Sequence, residues 1–187
     1  MTITKTEISD VLLLEPRVFG DERGYFFESY NQRELETFLH KSCNFVQDNR
    51  SRSVRGVLRG LHFQKPPFAQ AKIVTVLQGS VLDVAVDIRE GSPTFGKHVA
   101  VELSNENKKQ LYIPRGFAHG FVVLSDTAEF FYKCDGFYES SAEGGVLFSD
   151  PALHIDWRIP HDQLIVSEKD TQWNILAHTK TPFTYET

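Results

Sequence analysis

One histidine, one lysine and one tyrosine of this chain sit in strand-like segments where their chemistries could combine. His62 lies in Arg59-Gly60-Leu61-His62-Phe63-Gln64, and Lys72 and Tyr132 stand in two further apolar runs. Imidazole titrates near neutral pH and can serve as a base. An ammonium stabilises a developing enolate oxygen. A phenol can return a proton from another direction. Together these groups point to proton transfer beside a carbonyl. Each also has a plainer explanation. A lone strand histidine is usually structural, a lysine can snorkel to the surface, and a buried tyrosine can simply have a satisfied hydroxyl. The chemistry therefore rests on the whole set. Strand parity supports it: Lys72 shares a face with Val74 and Val76, and Tyr132 shares one with Ala128, Phe130 and Cys134. A polar residue on such a face either finds a partner or lines a cavity.

Anion binding has two candidates. Arg23 precedes Gly24 and Arg59 precedes Gly60. Arginine forks phosphate oxygens, and glycine permits close approach. Solvated surface charge is the plainer account of both. Arg59 and His62 have opposite parity, so they line one cavity only if the strand is irregular, and Gly60 is where a bulge would fit. In Ser167-Glu168-Lys169-Asp170 the last carboxylate reads by propensity as a helix start or turn residue.

The elements that must position these groups are strands. Apolar runs lie at Leu12–Phe19, Tyr25–Tyr30, Phe45–Ser51, Val57–Phe63, Ile73–Gln78 and Val81–Ile88, then at Val99–Leu103, Lys109–Ile113, Gly120–Leu124 and Glu129–Cys134. Gly79-Ser80 between two of them predicts a hairpin. In Val81–Ile88 the residues Leu82, Val84, Val86 and Ile88 share one face, and Asp83, Ala85 and Asp87 the other. One helix is predicted from Gln32 to His40, with Leu35, Phe38 and Leu39 as its apolar face. Many short strands at regular spacing indicate a sandwich or barrel. The expectation is one domain over residues 1–187, with an N-terminal arm and an irregular segment with short helices after about residue 150.

Bulk properties narrow the class. The 187 residues can bury a sizeable core without staples, and the net charge of −5 argues against general nucleic-acid binding. It leaves room for a basic cleft that takes a small anion. Cys43 and Cys134 lack metal-ligand spacing and read as two free thiols of a reducing compartment. The N-terminus has no apolar signal-like core, and no run approaches a membrane span. A cytoplasmic, non-membrane protein is the default expectation.

Pro114, Gly116 and His119 in Ile113–Phe121 have a spacing that resembles the second motif of the cupin superfamily of jelly-roll barrels. In metal cupins that histidine is a ligand, joined by a His-x-His pair and a glutamate. Here the corresponding strand reads His62-Phe63-Gln64, with glutamine in place of the second histidine. A metal-free site is therefore expected.

Longer motifs in order resemble the dTDP-4-dehydrorhamnose 3,5-epimerase family across nearly the whole chain. They are Arg23–Glu28, Gln47–Ser51, Gly56–Gln64, Ala69–Lys72, Val84–Arg89 with Gly91–Pro93, Ile113–Phe121, Phe131–Lys133 and Asp150–Ala152. The resemblance implies a mainly β, cupin-type jelly-roll fold with a few short helices. It implies a homodimer without cofactor that inverts carbons 3 and 5 of dTDP-4-keto-6-deoxy-D-glucose in dTDP-L-rhamnose biosynthesis. His62 would be the base, oriented by Asp170. Tyr132 would be the acid on the opposite face, and Lys72 would stand near the ketone oxygen. Arg23, Arg59 and His119 would hold the diphosphate and sugar. Phe26, Glu28, Gln47, Asn49, Tyr138, Glu143 and Lys169 would contact the nucleotide or shape the pocket. Phe63 and Phe68 depart from the tyrosine and histidine common in the family, which bears on fine specificity. Relatives of that family epimerise one centre or isomerise the ketone. A silent sugar-binding jelly roll would explain the fold, but it has no need of His62, Lys72 and Tyr132 together.

Overall fold

A computed structural model describes residues 1–185, and Glu186 and Thr187, the last of the expected domain, lie outside the described residues. The chain begins with β1 (Thr2–Lys5), β2 (Leu12–Glu15), β3 (Phe19–Asp21), β4 (Gly24–Phe26) and α1 (Gln32–Leu39). It continues through β5 (Gln47–Val54), β6 (Val57–Gln64), β7 (Lys72–Gln78), β8 (Ser80–Asp87) and β9 (His98–Ser104). Then come β10 (Gln110–Ile113), β11 (Phe117–Val123), β12 (Thr127–Cys134), β13 (Glu143–Gly145), β14 (Ile165–Val166) and α2 (Glu168–Thr171).

Two sheets result, in orders β1-β2-β10-β7-β12-β5 and β13-β6-β11-β8-β9, with β14 added parallel to β6 and β3–β4 forming a separate hairpin. From β5 to β8 the chain changes sheet at every step. The inner faces meet in a core that includes Val74, Val76, Ala85, Phe117, Phe121 and Phe130. The outer face of the second sheet, with Leu58, Leu82, Val84 and Val86, is covered by Leu153, Trp157, Ile159 and Leu176 of the C-terminal segment. On the first sheet, Leu35 of α1 packs over Leu12, Leu14, Ile73 and Tyr112. Each such side chain fully buried stabilises the fold by about 1.5–3 kcal/mol. Among the described residues no helix is long and apolar enough to cross a membrane.

Several sequence expectations need correction. Gly79-Ser80 does not close a hairpin, because β7 pairs with β10 and β12 whereas β8 pairs with β11 and β9. Gly79 does make the sharp reversal, with φ +77° and no room for a Cβ against Thr127 and Ser125. A turn signal marks where the chain reverses but not which strand it then joins. β8 is buried on both faces, including Asp83 and Asp87. The run from Leu12 stops at Glu15, before Pro16, which cannot donate to a ladder. The Tyr25–Tyr30 run is a strand only to Phe26, β5 is shifted to Gln47–Val54, and β11 starts at Phe117. The helix appears as expected, capped by the Asn31 side chain and ended by His40 at φ 52°.

Candidate active site

A bulge in β6 decides the site. His119 pairs with His62 and Phe121 with Arg59, so Gly60 and Leu61 together face Gly120 alone. Gly60 has φ +140°, and a Cβ there would stand 2.5 Å from Gly120 Cα, so only glycine fits. The extra residue cancels the parity difference. Arg59 and His62 consequently line one cavity of about 660 Å³ between the sheets. Arg59 is steadied by Ser53 Oγ, 3.3 Å from its Nε and Nη2.

The C-terminal segment brings the carboxylate. β14 runs parallel along the start of β6, and Ser167 caps α2 by accepting from the Asp170 backbone N–H. That turn sets Asp170 Oδ1 2.5 Å from His62 Nε2, while Oδ2 accepts the Gly60 N–H at 3.4 Å. Burial pushes the Asp170 carboxyl up, but His62, the Gly60 amide and Ser167 outweigh it, and the net shift is downward. An ionised Asp170 accepts from Nε2–H, which leaves the lone pair on His62 Nδ1. Trp173, two residues past α2, packs edge-on to His62 at 6.4 Å between ring centres. Gly145 makes room for it, since a Cβ there would lie 2.5 Å from the indole.

Lys72 and Tyr132 open on the same cavity from β7 and β12. Lys72 does not snorkel. It stays in the barrel, its Nζ 5.8 Å from the Tyr132 ring centre, and burial lowers its pKa. Burial also raises the pKa of Tyr132. Neither side chain has a hydrogen-bond partner among the described residues, so the reading of Tyr132 as a satisfied core tyrosine fails. His119 lines the cavity too, with Nε2 2.9 Å from Asp83 Oδ2. Asn49 and Lys169 complete this group of expected residues.

A second chamber of about 350 Å³ shares Asn49, His62, Lys72 and Tyr132 with the first and adds Gln47, Tyr138 and Glu143. Tyr138 Oη donates to Glu143 Oε2 at 2.9 Å and Lys169 Nζ to the same oxygen at 2.5 Å. Burial raises the Glu143 pKa, but these two donors bring the net shift below its ordinary value. The hydrogen bond to Glu143 raises Tyr138. Gln47 Nε2 donates to Asn49 Oδ1 at 3.0 Å.

Three expected residues are not brought to either chamber. Arg23 has a side chain 90% exposed and forks Asp21 on its own hairpin. Phe26 is exposed, and Glu28 accepts from Asn31. They belong to the β3–β4 hairpin and its exit, which pairs with neither sheet. Conversely, the sequence reading passed over Asp83 and Trp173. Asp83 was detectable as a charge within a run apolar on both faces, whereas nothing local marked Trp173. Gln64 is buried and accepts the Glu139 N–H, and among the described residues no group of three or more His, Cys, Asp or Glu could hold a metal ion.

A double-sheet jelly-roll barrel whose cavity holds a histidine–carboxylate pair, a lysine and a tyrosine defines a class of acid–base enzymes acting next to a carbonyl. Residues 5–178 match the family model described as dTDP-4-dehydrorhamnose 3,5-epimerase, and the chain belongs to that family. It is 57% identical over 170 residues to the dTDP-4-dehydrorhamnose 3,5-epimerase of Shigella flexneri, covering 91% of this chain and 93% of that one. The crystal structure of the Elizabethkingia anophelis enzyme of that name superposes with TM-score 0.90 at 56% identity, covering 94% and 96% of the two chains. A dTDP-6-deoxy-D-glucose-3,5-epimerase from Legionella pneumophila, in complex with dTDP-4-keto-L-rhamnose, gives TM-score 0.94 at 48% identity, covering 100% and 99%.

Proposed function

We propose that this chain is an isomerase that inverts carbons 3 and 5 of dTDP-4-keto-6-deoxy-D-glucose, yielding dTDP-4-keto-L-rhamnose. The observation that carries the reading is the 2.5 Å His62–Asp170 pair opening on one cavity with Lys72 and Tyr132. Both carbons are α to the ketone at carbon 4, so one base and one enolate site serve both in turn. His62 Nδ1 takes the carbon-bound proton, and Asp170 stabilises the imidazolium that forms. The electron pair moves to the ketone oxygen, where the Lys72 ammonium balances it. Tyr132 returns a proton to carbon from the other face, which inverts the centre, and solvent restores both groups. The ketone already acidifies each position, so the step asks for no redox cofactor.

Arg59 and His119 take the diphosphate and sugar, and Gln47, Asn49, Tyr138, Glu143 and Lys169 the nucleotide side. Arg23, Phe26 and Glu28 fit this reading as contributions from a second copy. The β3–β4 hairpin carries exposed Phe19, Tyr25 and Phe26, an apolar surface that suits an interface between copies. A homodimer of one-domain protomers, working in the cytoplasm with Cys43 and Cys134 reduced, is the assembly we put forward. The test is substrate turnover in heavy water with deuterium located by NMR. Label at carbons 3 and 5 with inversion at both supports the reading. Label and inversion at one centre only reassigns the chain to a single-centre epimerase, and absence of exchange refutes catalysis altogether.

A further inference from the structure

His119 and Asp83 form a second histidine–carboxylate pair, deeper than the first. Asp83 is wholly buried on β8, and its Oδ1 has no hydrogen-bond partner among the described residues. A buried carboxylate left with an unsatisfied oxygen is costly unless a positive charge stands near. Lys72 is a half-buried cation with no ion pair among the described residues; it opens on the same cavity as His119, the partner of Asp83, and the Asp83 charge partly opposes the lowering of its pKa by burial.

The groups facing Lys72 can be taken in turn. β12 offers Cys134 and Tyr132, β11 His119, β6 His62 and Arg59, β13 Glu143, α2 Asp170, and β8 Asp83. Burial pushes the Cys134 thiol up to about 11 and raises the Tyr132 phenol, so both are neutral near neutral pH. Glu143 is engaged by Lys169 and Tyr138, and Asp170 by His62. Asp83 is the one carboxylate of this set with a buried oxygen that has no partner among the described residues.

Building on the acid–base reading above, we infer that Asp83 is a positioning residue: its carboxylate, clamped by His119, is the buried counter-charge that keeps the Lys72 ammonium where the enolate oxygen forms. Asp83 lines neither chamber and acts on the reaction through Lys72.

The test is Asp83→Asn in the full chain with two readouts. Lys72 titration, followed by NMR of lysine labelled with carbon-13 at the ε carbon, is expected to move down by about 1 pH unit. The alkaline limb of the pH profile of deuterium uptake should move with it, with kcat falling and KM little changed. Asp83→Glu should restore both. In a Lys72→Met background Asp83→Asn should cost nothing further. If Asp83→Asn does not fold, Asp83→Ser carries the same test. An unmoved Lys72 titration, or an equal loss without Lys72, overturns the inference. A wild-type protein that takes up no deuterium refutes the functional reading instead, while the Lys72 titration still decides the role of Asp83.

Discussion

His62 and His119 are cross-strand neighbours on β6 and β11, and each holds a carboxylate through Nε2. They share a chemical motif yet differ in access. The His62 side chain is 29% exposed, on the cavity side, whereas His119 is 8% exposed with a partner fully buried. Burial lowers the His119 pKa, and Asp83 only partly offsets it. The pairing alone therefore does not make a base. A histidine also needs a free nitrogen that substrate can reach and a setting in which its charged form is tolerated.

This contrast can be broken most sharply by paired substitutions. His62→Ala should lose about 10²–10⁴-fold in exchange at both carbons, the usual cost of a positioned base. His119→Gln should lose only about tenfold, mainly in KM, as one hydrogen bond to substrate is replaced. Equal losses in kcat would abolish the distinction between the two pairs. Tyr132→Phe comes next. Inversion should fall by about 10²-fold while deuterium still washes into the sugar, because His62 keeps removing protons. Inversion of both centres at the wild-type rate would remove Tyr132 from the mechanism and leave Tyr138 as the next phenol to try.

Stability against pH sharpens the comparison further. The folded pKa of His119 lies below its unfolded value of 6.5. Below that pH the unfolded chain binds a proton that the folded chain refuses. Stability is thus full above about 6.5 and declines as pH falls towards the folded pKa. Asp170 has a depressed pKa too, so its contribution is present above its unfolded value of 3.8 and is lost only at more acid pH. Urea denaturation at about pH 8 and about pH 5.5 should show a drop that His119→Gln flattens and Asp170→Asn does not. The smallest expected effect is nil: dialysis against a chelator should leave activity unchanged. Loss restored by one divalent ion would contradict the metal-free reading drawn from Gln64.

The barrel was legible because β-branched and aromatic runs between turn residues announce strands, and because Gly60 was the one position where a bulge could reconcile Arg59 with His62. What stayed hidden was non-local. Gly79 makes the same reversal in a hairpin as in a crossing between sheets, and only burial of both faces of β8 tells them apart. Asp170 looked like an N-terminal helix residue, and it is one, within α2. Its second role depends on β14 docking against β6, which no local spacing encodes. Phe26 and Glu28 came from family likeness alone and Arg23 from that likeness together with its place before Gly24, and their own hairpin pairs with neither sheet.

The docking of the tail has a consequence for the order of assembly. His62 leaves the ribosome 108 residues before the carboxylate it contacts, so the barrel strands can emerge well ahead of Asp170. Closing that span is a long-range event whose entropic cost must be met before the contact forms. A nascent or C-terminally clipped chain would present a cavity with an unaimed imidazole. On the reading proposed above, chemical competence thus waits on the docking of β14 and α2 against β6.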